Sequence, residues 1–162
     1  MPTLTGSTAS IPQALPHGLW AIAYISTSST PLSESEIEAL LMRARAFNAE
    51  VGVTGALLVH ERTFFQYFEG PAPCVALVYQ RIQASLLHKN IIELLNQSVD
   101  KRVFSSWLMG FAEVSRSMAL QLEQAQWRTA VGSVSGGAPG SRSVGLNLLL
   151  DFCGNGRGGL SV

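Results

Sequence analysis

The chain has 162 residues, 47% of them hydrophobic, with 11 Lys and Arg against 11 Asp and Glu for a formal net charge of +0. Neutral charge with no basic stripe argues against nucleic acid as the main partner, and no apolar run approaches the length of a membrane span. The length suits one domain with extensions, and the two cysteines, Cys74 and Cys153, fit no metal-ligand spacing and read as small apolar residues in a reducing, cytoplasmic protein.

Residues 1–18 are rich in Ser, Thr and Pro and read as a flexible leader. They lack the basic start of a signal peptide, and Pro12 and Pro16 interrupt any apolar run. Residues 20–26 read as a first strand with Trp20, Ile22, Tyr24 and Ser26 on one face and Ala21, Ala23 and Ile25 on the other. Ser33 and Glu36 make a capping-box pattern that opens a helix whose apolar positions are Ile37, Leu40, Leu41, Ala44 and Phe47. Arg43 and Arg45 fall in its later turns, where the helix dipole favours cations. The helix should end between Asn48 and Gly52, with Asn48 as a possible C-terminal cap.

Residues 53–60 form a second strand, joined through Glu61-Arg62 to the aromatic strand Thr63-Phe64-Phe65-Gln66-Tyr67-Phe68-Glu69-Gly70. Alternation puts Phe64, Gln66 and Phe68 on one face, so a primary amide stands between two phenyl rings. An unpartnered buried amide costs roughly 1–3 kcal/mol, so Gln66 needs a partner, and a ligand edge with both donors and acceptors would match its two ends. Backbone or water would satisfy it equally. Pro71 and Pro73 start a second helix, striped by Val75, Val78, Tyr79, Ile82 and Leu86, with Arg81 beside the stripe and His88 to Asn90 at its end. Residues 91–99 read as a fourth strand, with a helix over 93–97 as the alternative, and 103–114 as a fifth, with Trp107, Met109 and Phe111 on one face.

This order, βαββαβ plus one strand, is a ferredoxin-like α+β pattern with two helices on one face of a largely antiparallel sheet. Residues 115–129 read as a further helix with Met118, Leu120, Leu122 and Trp127 apolar, 132–145 as a Gly/Ser-rich linker, 146–152 as a short apolar helix and the last residues as a disordered tail. The domain reading is a leader at 1–18, a folded α+β domain at 19–114 and a helical extension at 115–162.

No hydrolase elbow, phosphate loop or zinc motif is present. His17 and His60 carry no motif. The polar groups aimed at the helical side are Tyr24, Ser26, Gln66 and Asn48. A Tyr and a Gln around an apolar slot between helices would suit a planar redox ring, with Trp107 as a second electron donor. Two other readings of the same residues are an acylphosphatase-like enzyme using Arg45 and Asn48, and an RNA-binding module stacking bases on Phe64, Phe65 and Tyr67.

Residues 19–113 resemble the BLUF family, the sensors of blue light using FAD. The likeness rests on Tyr24-Ile25-Ser26; Asn48 followed by Gly52-Val53-Thr54-Gly55; Phe65-Gln66 with Phe68-Glu69-Gly70; Tyr79-Gln80-Arg81-Ile82 and His88; and Arg102-Val103-Phe104 before Trp107-Leu108-Met109-Gly110-Phe111. The resemblance implies a flavin between the two helices held by Asn48 and Arg81, with Ser26, Ser85 and His88 also at the cofactor. It implies a photochemical set of Tyr24, Gln66, Trp107 and Met109, in which light-driven electron and proton transfer from Tyr24 leaves the Gln66 amide rearranged. It implies a sensor and not an enzyme. Phe47, Ser85 and Leu87 stand where the family commonly has Asn, Asp and Arg, so FAD, FMN and riboflavin all stay open as the cofactor. The short proteins of the family have C-terminal helices on the free face of the sheet. By that likeness residues 115–152 cover the sheet and help form a homodimer or higher homo-oligomer, and the signal passes to a separate, unidentified protein. A flavin-free binding protein on the same fold is the remaining alternative.

Overall fold

Alternation in the first strand is borne out on both of its faces. In the computed structural model, which describes residues 18–127 and 143–154, strand β1 (Leu19–Ser28) buries Ile22 and Tyr24 in one core and Ala21, Ala23 and Ile25 in another. Burial on both faces requires cover on both, and the order of elements supplies it. Helix α1 (Glu34–Val51), strand β2 (Thr54–His60), strand β3 (Thr63–Pro71), helix α2 (Ala72–Ala84), strand β4 (His88–Val99), strand β5 (Gly110–Glu113), helix α3 (Arg116–Gln124) and helix α4 (Val144–Gly154) follow. The five strands lie in the order β4-β1-β3-β2-β5. All neighbours are antiparallel except β2 and β5, which run parallel. The ferredoxin-like α+β order expected from the sequence is the order observed.

Helix α1 begins as its capping box predicts, with Ser33 Oγ accepting from the Glu36 N–H and the Glu36 carboxylate accepting from the Ser33 N–H. It ends at Gly52 in the left-handed region (φ 72°), where a side chain would be strained. The β2–β3 turn places Glu61 at φ 52°. Apolar residues of α1 and α2, among them Leu41, Phe47, Val75 and Val78, pack on the face of Tyr24, Phe64 and Phe68. The opposite face matches small residues of the sheet (Ala21, Ala23, Ala56, Ala112) to large ones (Phe65, Tyr67, Trp127), and Leu122 of α3 and Leu149 of α4 close it.

Several sequence expectations are corrected. His88 to Asn90 does not end α2. The helix stops at Ala84 with Ser85 as cap, and His88 and Lys89 pair with Ser28 and Thr27 of β1. The fifth strand is only Gly110–Glu113, because a carboxylate captures the backbone before it: Glu69 Oε1 accepts from the N–H groups of both Val103 and Phe104 at 2.6 Å. Met109 therefore does not share a face with Trp107. Met109 is buried with Leu57 and Phe64 under the helices, while Trp107 stacks on Phe104 (5.2 Å between ring centroids) in the opposite core. Helix α3 stops at Gln124, with Trp127 beyond it donating from Nε1 to the Leu122 carbonyl, and Leu120 is exposed. The proposed linker runs too far, since α4 already begins at Val144 and buries Gly145 against the Trp127 ring. The leader at 1–17, most of that linker and the tail from 155 lie outside the described residues.

Candidate functional site

Pairing between β1 and β3 sets Tyr24 opposite Gln66, and pairing between β3 and β2 sets Gln66 opposite Leu57. Because side chains on paired residues share a face, the Tyr24 hydroxyl reaches Gln66 directly and donates to its Oε1 in a fully buried bond. The other end of the amide, Nε2, donates to Met109 Sδ at 3.6 Å. A thioether is a weak acceptor, so this end is held lightly. Burial pushes the Tyr24 hydroxyl far above its ordinary pKa, with a smaller contribution from Tyr79, so Tyr24 stands as a neutral phenol.

Above this floor a cavity of about 330 Å³ opens between α1 and α2. That size lies at the small end of the ~300–1,000 Å³ found for ligand pockets. Its walls are mostly apolar, from Leu40, Ala44, Phe47, Leu57, Phe64, Val78 and Ile82. Of the residues singled out from the sequence, Asn48, Gln66, Arg81, Ser85, His88 and Met109 line it. Tyr24 and Ser26 stand one layer behind: Tyr24 bonds Gln66, and Ser26 Oγ lies 2.8 Å from His88 Nδ1. Trp107 is not in the lining. His88 meets Phe64 and Tyr24 edge-on, and burial holds its imidazole below the usual range, so the ring is neutral at pH 7.

The segment carrying Met109 is latched to α1. Asn48 is buried and donates from Nδ2 to the Leu108 carbonyl at 2.6 Å, and Arg45 donates from Nε to the Met109 carbonyl at 2.9 Å. Asn48 thus does more than cap a helix end. These bonds also engage both residues that an acylphosphatase-like site would need. The RNA-stacking reading fails on burial, since Phe64, Phe65 and Tyr67 are at most 2% exposed.

Two features of the wall escape the sequence reading. Phe47 carries the Arg81 guanidinium over its ring at 3.8 Å, a cation–π contact that sets where the cation stands. Arg43 also lines the cavity. Its spacing of four residues before Phe47 on α1 was the available signal, because such residues neighbour each other on a helix surface.

The residues fit a flavin. A flat apolar slot suits the ring, the two-ended Gln66 amide suits its mixed donor and acceptor edge, and Asn48 and the guanidinium of Arg81 add polar groups on the helices. The family described as BLUF, "Sensors of blue-light using FAD", matches residues 19–110. The photoactivated adenylate cyclase subunit alpha of Euglena gracilis is 31% identical over 88 residues, which cover 54% of this chain and 9% of that protein. The blue light- and temperature-regulated antirepressor BluF of Escherichia coli (strain K12) is 38% identical over 69 residues, covering 43% of this chain and 17% of that one. Among solved structures, the dark state of the BLUF protein BlrB superposes with a TM-score of 0.60 at 25% identity, covering 67% of this chain and 83% of that chain. The match thus spans only a small part of either curated relative.

Proposed function

Because the chain belongs to the BLUF family of blue-light sensors using FAD, we propose that it is a photoreceptor whose switch is the Tyr24–Gln66–Met109 relay beneath a flavin held between α1 and α2. The observation that carries this reading is the buried hydrogen bond from Tyr24 to Gln66 at the floor of the cavity. The flavin, when bound, supplies blue absorption and an excited ring able to take an electron.

The chain's own residues supply the rest. Tyr24 is the electron donor. Burial keeps Tyr24 a neutral phenol, so loss of an electron would leave a strongly acidic radical cation in an apolar site, and its proton would leave toward the Gln66 carbonyl, the acceptor within reach. A phenol can donate to the amide oxygen or accept from the amide nitrogen, so both orientations of Gln66 satisfy Tyr24. The second orientation brings the amide oxygen to Met109 Sδ, which offers it no hydrogen. Reversal therefore loosens Met109, and with it the segment that Asn48 and Arg45 latch to α1. That is a two-state element biased by one amide, as an output switch requires. Trp107, in the opposite core beside Phe104, belongs to the same segment and does not line the cavity.

The signal then passes to a separate protein, and the chain acts in the cytoplasm. In support of that location, no helix among the described residues is long and apolar enough to cross a membrane, and both cysteines are free.

The test is the visible spectrum of the purified chain before and after blue light. A flavin spectrum that shifts slightly to the red and recovers in darkness is expected. Tyr24→Phe and Gln66→Leu should each abolish the shift while flavin remains bound. A wild-type chain that is yellow but does not shift would remove the switch assignment, and one that takes up no flavin would remove the photoreceptor reading.

A further inference from the structure

Tyr24 has a second register partner. Pairing between β1 and β4 sets it opposite Glu93, as pairing between β1 and β3 sets it opposite Gln66. Its own hydroxyl goes to Gln66, and Glu93 serves another phenol: Tyr79 of α2 donates from its hydroxyl to Glu93 Oε2 at 3.1 Å. The Tyr79 ring lies in the same core as Tyr24, with the two centroids 6.2 Å apart and Phe68 beside both. Among the described residues the rings in contact with Tyr24 are Phe68, Tyr79 and His88, and of these only the phenol gives up an electron readily. Tyr79 does not line the cavity, so in the photoreceptor reading it reaches the flavin only through Tyr24. Burial and the Glu93 carboxylate push the Tyr79 hydroxyl up to about 12, against a hydrogen bond from Gln83, so it too is a neutral phenol. Glu93 itself is exposed on the edge strand β4.

We propose that Tyr79 and Glu93 form a second oxidisable pair that takes the oxidising equivalent from Tyr24 and so sets how much of the light reaction reaches the Gln66 amide. The inference rests on the photoreceptor reading, in which Tyr24 has given an electron to the photoexcited flavin and its proton to the Gln66 carbonyl. Tyr79 then gives one electron to the Tyr24 radical. The Tyr79 O–H bond breaks and its proton bonds to Glu93 Oε2, while Tyr24 takes its own proton back from Gln66 and is a phenol again. Tyr79 is left as a neutral radical beside a protonated Glu93, and the charge of the chain is unchanged by the step. When the electron returns to Tyr79, Glu93 gives the proton back. A carboxylate is a stronger proton acceptor than an amide oxygen, so the oxidising equivalent lies lower on Tyr79 than on Tyr24. Solvent screens the Glu93 charge, so the proton transfer and not the field carries this preference. Once the equivalent has left, Tyr24 is restored before the amide turns, and the two routes compete.

The full-length chain loaded with FAD is frozen under blue light, and its radicals are read by electron paramagnetic resonance. The chain has three tyrosines, Tyr24, Tyr67 and Tyr79, so each can be removed in turn. A tyrosyl signal is expected in the wild type. It should be lost in Tyr79→Phe, which still shifts to the red and does so with a higher yield per absorbed photon. It should also be lost in Tyr24→Phe, because the relay runs through Tyr24, and kept in Tyr67→Phe, whose ring lies in the opposite core. Glu93→Gln leaves an acceptor for the Tyr79 hydroxyl but no base, and the signal should fall about tenfold, the ratio one charge-assisted bond supports. A packing role for Glu93 would not produce that loss. A signal that survives Tyr79→Phe, or is unchanged in Glu93→Gln, would overturn the proposal and leave the photoreceptor reading standing. So would a wild type that shifts to the red with no tyrosyl signal. Should Tyr79→Phe fail to fold, Glu93→Gln on the exposed strand decides alone. A wild type that takes up no flavin, or is yellow and neither shifts nor gives a radical, removes the switch and this pair together.

Discussion

Tyr24 and Gln66 meet because they are register partners on adjacent central strands, and the groups around them leave part of their bonding capacity lightly held. The Gln66 donor end rests on sulfur, and the ring of His88 rests on two aromatic edges and one serine hydroxyl. His88 makes a testable contribution to stability. Burial depresses its folded pKa, so the unfolded chain binds the proton more readily below the ordinary imidazole pKa of about 6.5. Stability therefore rises with pH wherever the unfolded state holds more protons: it is full above about pH 6.5 and falls as pH drops from there toward the folded pKa. Urea unfolding of the wild type and of His88→Asn, followed between about pH 5 and 8, should show a smaller pH slope in the variant over that window. Equal slopes would mean that the ring titrates alike in both states.

At the scale of elements the decisive one is the irregular stretch of residues 102–109. Strand alternation there reads as a continuation of β5, and the sequence offers no sign that Glu69, more than thirty positions earlier, takes up its N–H groups. Glu69 has no exposed surface. It accepts from Val103 and Phe104 and from the Tyr67 hydroxyl, and Arg102 beside it donates to the Gly52 and Glu69 carbonyls. Burial pushes its carboxyl above the usual range, against the bonds from Phe104, Tyr67 and Val103, which pull it down. Glu69→Ala strands two backbone donors and a phenol, so a loss of about 2–4 kcal/mol is expected in urea unfolding, with Trp107 fluorescence moving to the red as the segment loosens. A loss under about 1 kcal/mol would show that water satisfies these donors and that Glu69 is no anchor.

The same contrast explains what could be read in advance. Elements built on local patterns were legible: the capping box of α1, the alternation of β1 and β3, the glycine that ends α1. The pair Tyr24 and Gln66 was legible as polar groups on one apolar face. Features decided by contacts remote in sequence were not. Trp107 and Met109 look alike by alternation and part to opposite cores, His88 leaves a helix for an edge strand, and Arg43 lines a cavity that exists only because α2 packs across from α1.

For the whole molecule, the sheet separates a sensing side from a second core. The side of α1 and α2 holds the cavity, and the side of α3 and α4 closes over Ala21, Ala23, Ala56, Phe65 and Tyr67 with Leu122, Trp127 and Leu149. Trp107 and Phe104 lie in that second core, so the segment latched to α1 through Leu108 and Met109 touches both sides of the sheet. On the proposed reading, a shift of Met109 would be felt where α3 and α4 pack, and these helices would report it. The proposal that residues 115–152 cover the sheet and help form a homodimer can be tested by ending the chain before Ser115. Removing Leu122, Trp127 and Leu149 uncovers a face rich in apolar side chains, and apolar patches of that kind drive association. The shortened chain should aggregate, or lose the oligomeric state of the full chain, in light scattering coupled to size exclusion. A truncated chain that stays soluble and monodisperse, with its oligomeric state unchanged, would show that neither cover nor dimer depends on these helices, and output would then have to leave through the exposed edge of β4 or through α1 and α2 themselves.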